Sequence, residues 1–243
     1  MRKKSFIGGS PLFNYIRKYL RRKTDPIRLL RQLAPTDLKL ETVVHVGAHL
    51  AQERHLYEEC GYRHVLWIEG SPEVYGRLST VLESHKGTAE HEACCALLTE
   101  KDGDQLALQS FSNDGKSNSI FAPTSELRTR WPAVNVTGVV ESVTSRTLDT
   151  LLSGTKYANQ CDVLIVDVQG AELLVLKGAE STLARASAVI VEVSTRPYYE
   201  GGVLFPEVKT FLESRGFTSM STPRRHGDML FLRNKYLQKS KAA

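Results

Sequence analysis

Asp167 ends the apolar run Leu164-Ile165-Val166, and the chain then turns through Gln169-Gly170 into a helical stretch. A buried carboxylate is costly without a partner. For Asp167 that partner can be a cofactor ammonium, a metal ion or a substrate hydroxyl, and towards a hydroxyl it would act as general base. The plainer use is to cap the helix that follows. Glu192 lies inside a second apolar run, Ala188-Val189-Ile190-Val191-Glu192-Val193, and poses the same problem. A third carboxylate, Glu69, ends His64-Val65-Leu66-Trp67-Ile68 and stands 22 residues after Gly47. At the end of a second strand it can accept hydrogen bonds from two ribose hydroxyls. Asp167 and Glu192 are therefore the candidate catalytic groups, and Glu69 and Asp167 the polar ends of a nucleoside-cofactor site.

The first strand delivers Val46-Gly47-Ala48-His49-Leu50-Ala51. A dinucleotide turn needs further glycines where the backbone approaches a pyrophosphate, and here those positions are His49 and Ala51. A cofactor without phosphate, resting its amino-acid part on Gly47, Ala48 and His49, does not need that opening. S-adenosyl-L-methionine is such a ligand. Cys95, after the third strand, would lie beside its adenine. Ser117 and Ser119 sit in a polar loop able to cover cofactor or substrate, although an ordinary surface loop reads the same way. Tyr199 follows the Glu192 strand, and Glu172 opens the helix after Asp167. Ser119, Glu172 and Tyr199 are the candidate substrate contacts. No metal site is expected, because His45, His49 and His55 do not form a set and no His/Cys cluster has ligand spacing.

These residues need a sheet to gather them. From residue 42 onward, short apolar runs alternate with helical patterns. Strands are predicted at 42–47, 64–69, about 88–97, 162–167 and 188–193. Helices are predicted at about 50–60, 72–83, 171–183 and 205–215. Extended segments at 104–111 and 136–146 flank a polar loop, and 217–221 with 229–232 reads as a closing antiparallel pair. Such a βαβαβ order, with right-handed crossovers, brings the carboxyl ends of the strands to one rim.

Composition narrows the setting. Residues 1–40 hold 11 Lys/Arg against 2 Asp/Glu, while the remainder is net acidic, so the overall +5 comes from a leader. A basic body would have suggested a nucleic-acid groove; this one does not, and no nucleic-acid partner is expected. Apolar residues at 12, 13, 16, 19 and 20 predict an amphipathic helix over 11–23, and Asp25-Pro26 opens a second at 27–33. Through residues 1–24 the leader can touch an anionic membrane, or pack on the domain with its charges solvated. Four cysteines without CxxC spacing, and no apolar run long enough to span a bilayer, suggest a cytoplasmic protein, peripheral at most to the inner face of a membrane.

Taken together, Val46-Gly47-Ala48-His49, Val65-Leu66-Trp67-Ile68-Glu69-Gly70-Ser71-Pro72, Ser117-Asn118-Ser119 and above all Ile165 through Ala179 resemble the FkbM family of S-adenosylmethionine-dependent methyltransferases. The resemblance covers about residues 42–220. It implies an α/β class I methyltransferase (Rossmann-like) fold: a mostly parallel seven-stranded sheet, helices on both faces and a C-terminal antiparallel hairpin. It divides the chain into a basic helical appendage (1–40), the methyltransferase domain (41–235) and a basic tail (236–243). It implies O-methyl transfer to a hydroxyl of a sugar, glycan or other natural product. By position, Gly47 would hold the methionine part, Glu69 the ribose, and Asp167 the region near the cofactor amine and the acceptor. Two departures stand out: His49 and Ala51 replace the usual Asn and Gly, and Gln169 replaces the first glutamate of the hallmark. They leave open a non-catalytic nucleoside-binding partner. An NAD-type enzyme is disfavoured by the missing glycines. A divalent metal could lower the hydroxyl's pKa, but nothing in the spacing indicates one.

Overall fold

A computed structural model describes residues 25–221 and 225–239. The expected helix at 11–23 and the ends of the chain lie outside them. The elements run α1 (Pro26–Leu33), β1 (Thr42–Val46), α2 (Arg54–Glu59), β2 (His64–Glu69), α3 (Pro72–Ser84), β3 (Glu90–Cys95), β4 (Leu97–Leu98), β5 (Gln105–Phe111) and α4 (Ser125–Arg130). There follow β6 (Val136–Arg146), α5 (Leu148–Ser153), a 3-10 turn (Lys156–Asn159), β7 (Val163–Val166), α6 (Glu172–Lys177) and α7 (Glu180–Arg185). The chain closes with β8 (Ala188–Ser194), α8 (Phe205–Ser214), β9 (Phe217–Ser219), β10 (His226–Arg233) and α9 (Asn234–Lys239).

Seven strands form one sheet in the order β3-β2-β1-β7-β8-β10-β9, parallel except for β10, which runs antiparallel to both neighbours. The fold is that of the class I, Rossmann-like methyltransferases. Period-two alternation divides the core. Val44, Val46, Leu66, Ile68, Leu164 and Val166 face one apolar layer, and Val43, Val65, Trp67, Val163 and Ile165 face the other. Strands β1 and β7 are buried at every position, as expected of central parallel strands; β7 is apolar throughout, and β1 also buries Thr42 and His45, the latter paired with the Tyr57 hydroxyl at 2.9 Å. Helix α1 joins the second layer through buried Ile27, Leu29 and Leu30, and Asp25 caps it by accepting from the Ile27 amide at 2.8 Å.

Two helices depart from their predicted extents. The one expected at about 50–60 starts only at Arg54, because His49 and Ala51 hold left-handed φ values of 44° and 51° and delay the first helical turn. The one expected over 171–183 is two, α6 and α7, with Gly178 between them. A Cβ on Gly178 would meet the Thr99 carbonyl oxygen at 2.2 Å, so the break between the two helices lies directly on the backbone just after β4. The segments at 105–111 and 136–146 pair into a small second sheet, β4-β6-β5, and the loop between them carries the unexpected helix α4. No helix among the described residues is long and apolar enough to cross a membrane.

Candidate active site

The strand order reverses between β1 and β7, the place where ligands enter an open α/β sheet. A cavity of about 510 Å³ opens there, over the carboxyl ends of β1, β2, β7 and β8. That is the volume of a nucleoside-sized ligand with room for a second group. On one side Gly47, at φ 86°, turns the chain so closely past β7 that a Cβ would sit 1.6 Å from the Asp167 carbonyl oxygen. The amides of Gly47 and Ala48 donate to the Ile68 carbonyl at 2.9 and 3.1 Å. Glu69 then clamps the turn: Oε2 accepts from the His49 amide and Oε1 from the Ser71 amide, each at 2.9 Å. Burial raises the Glu69 pKa, opposed by those two amides. A carboxylate has about four lone-pair positions, so Glu69 keeps acceptor capacity for hydroxyls of a ribose.

The other side is built from side chains. Gln169 donates through Nε2 to Asp167 Oδ1 and to Glu192 Oε2, both at 2.7 Å, and Tyr199 donates its hydroxyl to Gln169 Oε1 at 2.8 Å. Ser119 Oγ donates to the Gln169 carbonyl at 2.7 Å, fixing a residue whose φ is 56°. His226 Nε2 lies 3.0 Å from Glu192 Oε1. Asp228 stands directly across the β8–β10 pair from Glu192. Asp167, Glu192 and Asp228 bring one oxygen each within 4.8 Å of the others, a spacing at which a divalent cation could also be held. Burial drives the Asp167 pKa well upward, reinforced by the neighbouring Glu192, and burial pushes Glu192 up to about 8. The pair therefore retains a proton at neutral pH.

The model of the methyltransferase FkbM domain matches residues 45–219. The chain belongs to the FkbM methyltransferase family. Among solved structures it is similar to the FkbM methyltransferase of Methylobacillus flagellatus KT, with a TM-score of 0.52 and 13% identity over 91% of this chain and 58% of that one. The chain thus spans little more than half the length of that enzyme. It is also similar to an S-adenosylmethionine-dependent methyltransferase of Aquifex aeolicus, with a TM-score of 0.45 and 13% identity over 91% and 98% of the two chains. No curated protein sequence matches this chain.

In this FkbM domain, Gly47, Ala48, His49, Glu69, Ser117 and Asp167 all lie on the cavity wall, as do Ser119, Glu192 and Tyr199. Two expected residues do not. Cys95 is exposed at the end of β3, beside Glu69 in register, and it is the following Ala96, Leu97 and Leu98 that reach the cavity. Glu172 is 3% exposed and lies behind the wall, accepting from the Gly170 amide at 2.9 Å and the Val168 amide at 3.3 Å. It holds the turn after Asp167 rather than a substrate, and burial raises its pKa to about 7. Trp131, His226 and Asp228 line the cavity without having been expected there. Asp228 carried a readable signal, a carboxylate beside the apolar run Met229–Leu232. Trp131 carried none, because a tertiary contact with Tyr198, centroids 4.9 Å apart, brings it to the mouth.

Proposed function

We propose that the protein is an S-adenosylmethionine-dependent O-methyltransferase acting on a hydroxyl of a sugar or glycan. The observation that carries this reading is the half-buried Asp167–Glu192 pair, bridged by Gln169 and sharing a cavity with Glu69. Glu69 ends a strand two places from that of Asp167 and three from that of Glu192, about 10 and 14 Å across the sheet. That span suits a nucleoside bound by its ribose at one end with its reactive group near the other.

The chemistry of the wall fits the cofactor. Ala96, Leu97 and Leu98 offer an apolar surface to a purine. Six carboxylates, those of Asp25, Glu53, Glu69, Asp167, Glu192 and Asp228, face the cavity against one lysine, Lys116. This excess repels phosphate and suits a sulfonium and an ammonium. It also argues against a dinucleotide or a nucleic-acid backbone. When bound, the cofactor supplies a methyl group already activated on sulfur. The protein's own contribution is to hold an acceptor hydroxyl in line and to receive its proton on the ionised form of the Asp167–Glu192 pair. Gln169 keeps both carboxylates aimed, and Trp131, Tyr198 and Tyr199 offer aromatic faces to the C–H face of a sugar ring.

The test is methyl transfer from labelled S-adenosylmethionine to a panel of mono- and oligosaccharides, with wild type, Asp167→Asn and Glu192→Gln. Product with wild type, reduced by about 10²–10⁴ in the variants, is expected. Cofactor binding without turnover on any acceptor would instead favour a non-catalytic binding partner. Gln169, standing where the family has a carboxylate, is what favours that second reading.

A further inference from the structure

Away from the cavity, the outer half of α2 meets the end of α3 and the start of β3 in a cluster of three histidines around one carboxylate. His85 Nε2 lies 2.9 Å and His91 Nε2 3.1 Å from Glu58 Oε1, and the Thr88 amide donates to the same oxygen at 3.1 Å. Burial works against the Glu58 charge, but the bonds from His85, His91 and the Ala89 amide outweigh it and hold the carboxyl at about 2. Its second oxygen, Oε2, accepts no hydrogen bond among the described residues and faces His55 Nδ1 at 3.9 Å.

We propose that His55, Glu58 and His85 form a zinc-binding site. One donor atom of each lies within 4.8 Å of the others. Two imidazoles and a carboxylate are a ligand set of the right softness for Zn²⁺, with a water completing four-coordination. Bonds of about 2.0–2.1 Å need the donors closer than 4.8 Å, and the geometry provides for this. The side chains of His85 and Glu58 are 6% and 11% exposed, while that of His55 is 65% exposed and stands edge-on to His85, ring centroids 4.9 Å apart, where a rotation about its χ angles would bring it in. His85 would bind through Nε2 with its proton moved to Nδ1.

His91 is not a ligand. Trp67 Nε1 donates to His91 Nδ1 at 3.0 Å, so Nε2 carries the ring proton and donates it to Glu58. Its part is to orient Glu58, as outer partners of metal ligands do. The metal would tie α2, whose Leu56 and preceding Glu53 line the cavity, to the loop before the edge strand β3.

The full chain, stripped with chelator, is titrated with Zn²⁺ by calorimetry and with Co²⁺ by visible absorption, alongside thermal unfolding. One equivalent bound, a cobalt spectrum of tetrahedral type and a Tm raised by Zn²⁺ are expected. His55→Ala, at an exposed position that leaves the fold intact, should weaken binding at least about tenfold, and His85→Gln should weaken it further. Asp228→Asn, which alters the other acidic cluster, should leave it unchanged. No zinc binding by wild type would overturn the site, as would binding that survives His55→Ala and His85→Gln or is lost in Asp228→Asn.

Discussion

The two ends of the cavity hold their carboxylates differently. At one end Glu69 is gripped by backbone amides of His49 and Ser71, each two or three residues past a strand end. At the other end Asp167, just past β7, and Glu192 of β8 are held by side chains, chiefly the amide of Gln169, with Asp228 of β10 across from Glu192. Backbone donors fix the place of a group and oppose the upward pull of burial on its pKa, which suits recognition of an unchanging ligand. Side-chain donors among like charges leave a proton to be gained or lost, which suits a step in which a proton must move. Backbone amides after two adjacent strands thus build the Glu69 half, and side chains from β8, β10 and the turn after β7 build the half that gathers like charges.

The largest effect should come from breaking the backbone-built end. Gly47→Ala places a methyl inside the Asp167 carbonyl and forces a left-handed φ on alanine, so a loss above about 4 kcal/mol, or failure to fold, is expected in denaturant unfolding. Next, Glu69→Ala should weaken cofactor binding about 10–150-fold in calorimetry, in line with about 1.5–3 kcal/mol for bonds to a charged group. An unchanged affinity would show that Glu69 serves only the turn.

The side-chain-built end should answer to pH. The Glu192 carboxyl goes from an ordinary 4.5 to about 8 in the fold. Between those values the unfolded chain has released its proton and the folded chain has kept it, so raising the pH favours unfolding. Stability should fall across that window by up to about 1.4 kcal/mol per pH unit per proton, then level off above it. Glu192→Gln should flatten the fall, and a slope unaltered in that variant would remove Glu192 as its source. Gln169→Glu exchanges the bridging donor for a further carboxylate. It should cost about 1–3 kcal/mol, more at high pH than at low, measured by urea unfolding. The smallest effect is expected at Ala51, buried at φ 51°. Ala51→Gly relieves the left-handed conformation but loses a buried methyl, and a net change within about 1 kcal/mol is expected.

Much of this was legible along the chain. Unbroken apolar runs marked the central strands because parallel strands are buried on both faces, and carboxylates at their ends marked the rim because desolvation makes them conspicuous. The positions of Glu69, Asp167 and Glu192 followed from that. Cys95 and Glu172 lie off the cavity wall for different reasons: Cys95 is exposed at the end of β3, one residue before the segment that reaches the cavity, whereas Glu172, the first residue of α6, turns inward to accept from the amides of Gly170 and Val168. Sequence alone determined the alternation of strands and helices, the reduced glycine turn and the three carboxylates at or near the ends of apolar runs, since each depends on near neighbours. Only the tertiary structure decided that Asp228 would stand across from Glu192, that Gln169 would bridge two carboxylates, that Trp131 would reach the mouth and that His55, Glu58 and His85 would meet. Those contacts join residues far apart in the chain, and strand register and loop packing, rather than local propensity, set the distances between them.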